Sequence, residues 1–143
     1  MADSNILIEK TWSDETVIEL KVTAESEFVT AYQYCYVDPH FLKGLSETFS
    51  GFINDYKNGC YIEFGKKDGN YTPAFSLEFL PIDRAGHIKI EVDLEIADND
   101  RRAHRCCFYV YSELGLIEKF GKKLSKLGDA EIGKICILND CVF

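Results

Sequence analysis

This chain of 143 residues is short of basic side chains, with 16 Lys and Arg against 24 Asp and Glu, and it holds one Met, one Trp and three Pro. A formal net charge of −8 opposes nucleic-acid binding, because phosphate backbones are held chiefly by clustered Lys and Arg. No apolar run approaches the roughly 18 residues needed to span a bilayer. The opening MADSNILIEKTW lacks the basic start and apolar stretch of a signal peptide, so a cytoplasmic location is expected.

The six cysteines, Cys35, Cys60, Cys106, Cys107, Cys136 and Cys141, include no C-x-x-C pair. In a cytoplasmic chain they read as separate thiols rather than as a zinc site or a disulfide framework. Cys60 and Cys106 alternate in phase with aromatic core positions and read as small buried hydrophobes, while Cys141 is the thiol expected to be reactive. Catalytic signatures are also missing: there is no G-x-S-x-G, H-E-x-x-H, Gly-rich phosphate loop or EF-hand pattern. Asp98-Asn99-Asp100 lacks the further calcium ligands at the required offsets and reads as a turn. His40, His87 and His104 stand apart from any nucleophile partner. The expectation is a non-enzyme with no cofactor, no metal and no catalytic residue.

What is present is apolar and aromatic, 46% and 13% of the chain, including ten Phe and eight Tyr. That composition excludes disorder, and the length suits a single globular domain over residues 1–143. The clearest pattern runs from Gly86 to Ala97, where Ile88, Ile90, Val92, Leu94 and Ile96 alternate with Lys89, Glu91, Asp93 and Glu95. A period of two makes this a strand with one dry face and one largely anionic face, its acids about 7 Å apart.

The same reading finds β-prone runs at Asn5 to Lys10 and Thr16 to Ala24, which predict a hairpin. Glu27 to Val37 follows, with Tyr32, Tyr34 and Tyr36 in one phase and Val29, Ala31, Cys35 and Val37 in the other, so it is expected to be a central strand covered on both faces. Asp38-Pro39 starts a helix whose stripe is Phe41, Leu42, Leu45, Phe49, Phe52, Ile53 and Tyr56, with Asn58-Gly59 as its stop. Gly44 and Gly51 suggest close approach of that helix to a sheet. Cys60 to Phe64, Thr72 to Leu80, Gly86 to Ala97 and Arg102 to Tyr111 read as an antiparallel meander joined at 67–70, 83–86 and 98–100.

A second helix is expected from Glu113 to Leu127, capped by Ser112, stopped by Gly128, and buried along Leu116, Ile117, Phe120, Leu124 and Leu127. Glu131 to Leu138, with Ile132, Ile135 and Ile137, is a candidate C-terminal edge strand. The resulting expectation is an α+β fold, an antiparallel sheet of about six to seven strands in the order β-β-β-α-β-β-β-β-α with two helices packed on it. An uncovered edge leaves monomer and weak homodimer open.

Charge is unevenly placed. Residues 1–38 carry eight acids against Lys10 and Lys21, and the meander gathers a second acidic group. Reading the strands in phase puts Tyr61, Glu63, Glu78, Glu91, Asp93, Glu95, Tyr109 and Tyr111 on the meander's outer face. These eight are the candidate partner-binding residues, since acidic surfaces steer basic partners and tyrosine supplies contact area with a polar tip. The competing reading is a small-ligand or regulatory domain in which Tyr32, Tyr34, Phe75 and Phe79 line a pocket between helix and sheet.

The segments EFVTAYQYCYVDPHFLKGL, GFINDYKNGCYIEFG, AFSLEFLPIDRAGHIKIEVDLE and ELGLIEKFGKKLSKL, within residues 27–127, resemble the WapI-like immunity proteins and related small domains of bacterial polymorphic toxin loci. The likeness lies in the helix end from Gly51 to Gly59, the aromatic strand before it, the GHIKIEV strand and the closing helix around Ile117 to Leu124. The resemblance implies a cytosolic protein that binds and neutralises the toxin of its own locus, and a basic nuclease would suit the charge.

Overall fold

The computed structural model describes residues 4–66, 73–96, 101 and 104–140. Alternation builds the first strands: β1 (Asn5–Ser13) and β2 (Ile18–Glu25) form the expected hairpin, with Ile6, Ile8, Leu20, Val22 and Ala24 buried on one face. Asp14 fixes the turn, its Oδ1 accepting the N–H groups of Thr16 and Val17 at 2.8 and 2.9 Å. Those backbone bonds favour the ionised carboxylate and hold Asp14 below its usual range. β3 (Thr30–Val37) pairs antiparallel with β2.

Asp38 then caps α1 (Pro39–Asn54) by accepting the His40 N–H at 2.6 Å, with Pro39 in the first turn. A 3-10 turn at Tyr56–Asn58 and Gly59, at φ 73°, lead into the meander of β4 (Cys60–Lys66), β5 (Pro73–Pro81), β6 (His87–Ile96) and β7 (His104–Glu113). α2 (Leu114–Leu127) follows, and β8 (Ile135–Ile137) returns to pair with β1. The expected turns at 67–70 and 98–100, and Cys141, lie outside the described residues. The turn at 83–86 is present, held by Asp83 Oδ1 accepting from the Ala85 and His87 N–H groups.

The molecule is α+β, with two helices packed on antiparallel strands as expected, and among the described residues eight strands are divided between two four-stranded sheets. One sheet has the order β3-β2-β1-β8 and the other β4-β5-β6-β7. The division falls between β3 and β4, where β3 lies against β4, β5 and β6 without a ladder. The Gln33 side-chain amide donates to the Glu95 carbonyl at 2.5 Å, and Gly65, at φ 65°, lets the backbones close up. A Cβ there would meet Cys35 Cβ at 2.9 Å.

One apolar core serves both sheets and both helices. Phe49 of α1 lies edge-on to Phe79 of β5 at 5.2 Å and stacks with Phe120 of α2 at 6.4 Å, while Phe64 and Phe75 stack at 4.2 Å. The helix glycine that matters is Gly121: a Cβ there would sit 2.3 Å from a ring carbon of Phe49. Gly44 and Gly51, expected to allow close approach, face open space.

Further corrections have local causes. β3 is an end strand of its sheet rather than a central one, so Tyr32, Tyr34 and Tyr36 are exposed. Ser112 stays in β7, its hydroxyl donating to Asn139 Oδ1 at 2.6 Å, and Glu113 takes the cap position of α2 without a side-chain bond. β8 is shorter than the expected Glu131 to Leu138, and pairing Cys136 with Ile8 points Cys136 inward and leaves Ile135 exposed, with Ile132 exposed ahead of the strand.

Two polar clasps close the structure. Lys10 is buried at 5% exposure, and its Nζ donates to the carbonyls of Gly128 and Ala130 at 2.8 and 2.7 Å, beyond the C-terminus of α2. Cation, orphan carbonyls and helix dipole satisfy one another there. Asn139 donates from Nδ2 to the Ser4 and Tyr111 carbonyls at 2.9 and 2.8 Å, joining the two sheets.

Gly121→Ala is expected to destabilise by about 1–3 kcal/mol through overpacking against Phe49, despite better helix propensity. Gly44→Ala, in open space, should instead gain up to about 1 kcal/mol. Urea denaturation of both variants checks the contrast, and a stabilised Gly121→Ala would show that the helices are not in contact there. Lys10→Met should cost about 1–3 kcal/mol in the same assay by leaving two carbonyls without their donor.

Candidate functional site

The outer face of β4 to β7 is ordered by strand register. Tyr61, Glu78, Glu91 and Tyr109 fall opposite one another in a single row across all four strands. The next row holds Glu63, Ser76, Asp93 and Cys107, and the row on the other side holds Leu80, Lys89 and Tyr111. Seven of the eight predicted site residues therefore share one outward surface. Tyr61 is 55% exposed, Tyr109 and Tyr111 about as open as each other, and the four acids half-buried between them.

Glu95 is the exception. It sits on the same phase of β6 but is 7% exposed, and its backbone carbonyl accepts from the Gln33 side chain of β3. The expectation that Glu95 joins the exposed face is corrected accordingly. Sequence alternation gives the phase of a side chain but not its neighbours from distant segments.

The tyrosines and acids on the face are linked. Tyr109 donates from its hydroxyl to Glu91 Oε2 at 3.2 Å, and Tyr61 donates to Glu63 Oε1 at 3.1 Å. Arg105 Nε bonds Asp93 Oδ1 at 2.7 Å, and Lys89 Nζ sits 4.7 Å from the centre of the Tyr109 ring. The hydrogen bond to Glu91, with its negative charge, raises the Tyr109 pKa above the usual phenol value. Cys107, on the same face, has its thiol pKa raised, first by partial burial and then by the charges of Glu91 and Asp93.

One pair stands out energetically. Glu78 and Glu91 are direct cross-strand neighbours, which brings two like charges to within about 5 Å at their Cβ atoms and destabilises a sheet by roughly 0.2–1 kcal/mol. A cation brought by a partner would relieve the repulsion.

A second aromatic face was not anticipated. Tyr32, Tyr34, Tyr36 and Trp12 are exposed on the outside of the other sheet, with Lys21 Nζ 4.9 Å from the Tyr32 ring and Tyr36 donating to Glu19 Oε2 at 2.8 Å. The signal for it lay in the alternation of β2, whose outward Glu19, Lys21 and Thr23 face Tyr36, Tyr34 and Tyr32 in register. Tyr32 and Tyr34 consequently do not line an internal pocket with Phe75 and Phe79, which are fully buried among other rings.

The remaining candidates are structural or solvated. Burial pushes the Cys35 thiol up to about 12 and the Cys136 thiol up to about 11, so neither is a nucleophile at neutral pH. Cys60 and Cys106 are half-buried. His87 Nδ1 lies 2.7 Å from Asp83 Oδ2 on an exposed turn, which raises the imidazole pKa and lowers the carboxyl. Among the described residues no group of three His, Cys, Asp or Glu is placed to hold a metal ion, and no helix is long and apolar enough to cross a membrane.

No family model, curated protein or solved structure matches the chain.

Glu91→Gln is expected to move the Tyr109 phenol back down toward its usual value, because the carboxylate that opposes ionisation is gone. Titration of the Tyr109 ring by NMR between pH 8 and pH 12 follows this directly. An unmoved Tyr109 would mean that the hydroxyl does not sit on Glu91 in solution.

Proposed function

We propose that this protein is a binding protein whose outer β4–β7 face engages a basic protein partner, and that the partner is a cognate bacterial toxin domain neutralised in the cytoplasm. The observation that carries the reading is the row Tyr61, Glu78, Glu91, Tyr109, two adjacent carboxylates bracketed by two exposed tyrosines. Tyrosine brings rigid contact area at low entropic cost, and adjacent carboxylates meet Lys or Arg on the other side. The net charge of −8 adds long-range attraction that speeds encounter with a basic surface.

The toxin assignment rests on the resemblance to WapI-like immunity proteins within residues 27–127. A basic nuclease fits best among toxins, since carboxylates spaced along a strand can occupy the positions of substrate phosphates. Inhibition then follows from occlusion, and no residue of this chain needs to react.

Co-purification with the product of a toxin-like gene adjacent to its own is the primary test; no complex at micromolar concentration would sink the proposal. The site predicts a divergence between stability and binding. Glu78→Gln should raise stability by roughly 0.2–1 kcal/mol by removing like-charge repulsion, while weakening the complex. Paired Glu91→Lys and Asp93→Lys should reduce affinity by at least tenfold with the fold retained, as read by calorimetry and circular dichroism.

A further inference from the structure

β7 ends its sheet, and its outer edge faces a groove. At Tyr111 that edge is closed: the N–H donates to Ser4 Oγ at 3.1 Å and the carbonyl accepts from Asn139 Nδ2 at 2.8 Å. Because strand groups alternate with a period of two, Tyr109 and Cys107 aim their own N–H and C=O groups to the same side as Tyr111. There the edge opens onto a largely apolar groove of about 380 Å³ between β7 and the turn at Ser26 to Val29. No hydrogen bond from another described residue reaches the outward backbone groups of Cys107 and Tyr109.

The far wall of the groove is held in place. Ser26 Oγ accepts from the Phe28 and Val29 N–H groups at 3.3 and 3.2 Å, and the Ser26 N–H donates to the Val29 carbonyl at 2.7 Å. This turn presents Phe28 at 86% exposure, the most open large apolar residue described.

We propose that β7 accepts an extended segment of the basic partner as an added strand, seated in this groove. The inference rests on the proposed partner-binding function and specifies how the partner docks. The pleat dictates the segment's pattern. Side chains on the inner side meet Phe28, Val29 and Phe108, and so must be apolar; side chains on the outer side continue the rows ending in Tyr109 and Cys107, beside Glu91 and Asp93, and so must be basic. The occupant is thus a strand of alternating aliphatic and Lys or Arg residues, its main chain bonding to Cys107 and Tyr109.

The probe is an acetylated, amidated hexapeptide of alternating Val and Lys, added to the full-length protein and followed by amide NMR and calorimetry. Binding should protect the Cys107 and Tyr109 amides from exchange and should weaken with salt. Methylating the peptide nitrogens on one edge should reduce affinity at least tenfold if that edge bonds β7, while methylation of the opposite edge is tolerated. Cys107→Pro, which removes an N–H not needed by β6, should abolish binding; where this variant fails to fold, the two methylated peptides decide alone.

Equal binding of both methylated peptides would overturn strand addition while leaving the acidic face as the partner site. Strand-specific binding that ignores both salt and the Glu91→Lys, Asp93→Lys pair would do the reverse, keeping the edge and removing the charged-partner reading. Failure of the hexapeptide to bind at millimolar concentration would overturn the proposal, as would concentration-dependent dimers that protect the same two amides without peptide.

Discussion

The close contact of α1 with α2 at Phe49 and Gly121 sets the position of nearly everything else. Phe49 touches both Phe79 of β5 and Phe120 of α2, so one ring couples sheet to helix and helix to helix. Only the missing Cβ of Gly121 lets the ring fit. Interiors pack to near-crystalline density and yield little, so that contact fixes the height of α1 above β4 and β5 and hence which face of the meander is dry. The opposite face is then outward by the pleat alone, and its rows of acids and tyrosines are a geometric consequence of a buried phenylalanine.

Against that rigid inner face, the outer face spends stability. Glu78 faces Glu91 across two strands, while the hydroxyls of Tyr61 and Tyr109 each reach a carboxylate instead of pairing with one another. Bound hydroxyls orient the rings and partly disperse the charge, and Lys89 lies against Tyr109. The effect is pre-organisation: the tyrosines already hold an exposed, hydrogen-bonded pose, so a partner has less side-chain freedom to remove. Arg105 on Asp93 marks one border of the acidic row.

Much of this was legible because the period of two is so regular. Ile88 to Leu94 are buried and Lys89 to Asp93 are turned outward, as alternation requires, and the α+β class with two packing helices followed from stripes and turn residues. What escaped was non-local. Glu95 obeys the same alternation as Glu91 yet is buried. Tyr32, Tyr34 and Tyr36 looked like the covered face of a central strand, since nothing in their own segment tells an end strand from an inner one. The C-terminal edge strand is present but shorter than its isoleucines suggest, and its register with β1, which turns Cys136 inward, is set by a segment over a hundred residues away. Gly121 passed unnoticed because a helix glycine has meaning only through what lies opposite.

The division into two sheets gives the two ends of the meander different surroundings. A single sheet running on from β3 to β4 would have left its free edges elsewhere and covered neither end of β6. Here Gln33 of β3 bonds the Glu95 end of the meander, Asn139 ties its Tyr111 end to the start of β1, and between these two constraints a short stretch of β7 has no hydrogen-bonded neighbour among the described residues. Charge on the adjoining face acts over roughly a Debye length of 8–10 Å and carries little shape information. A strand edge acts only on contact and is strict about direction and alternation. In the proposed complex, placing the two side by side would separate the rate of encounter from the choice of partner, so that a generally attractive acidic surface would still be selective.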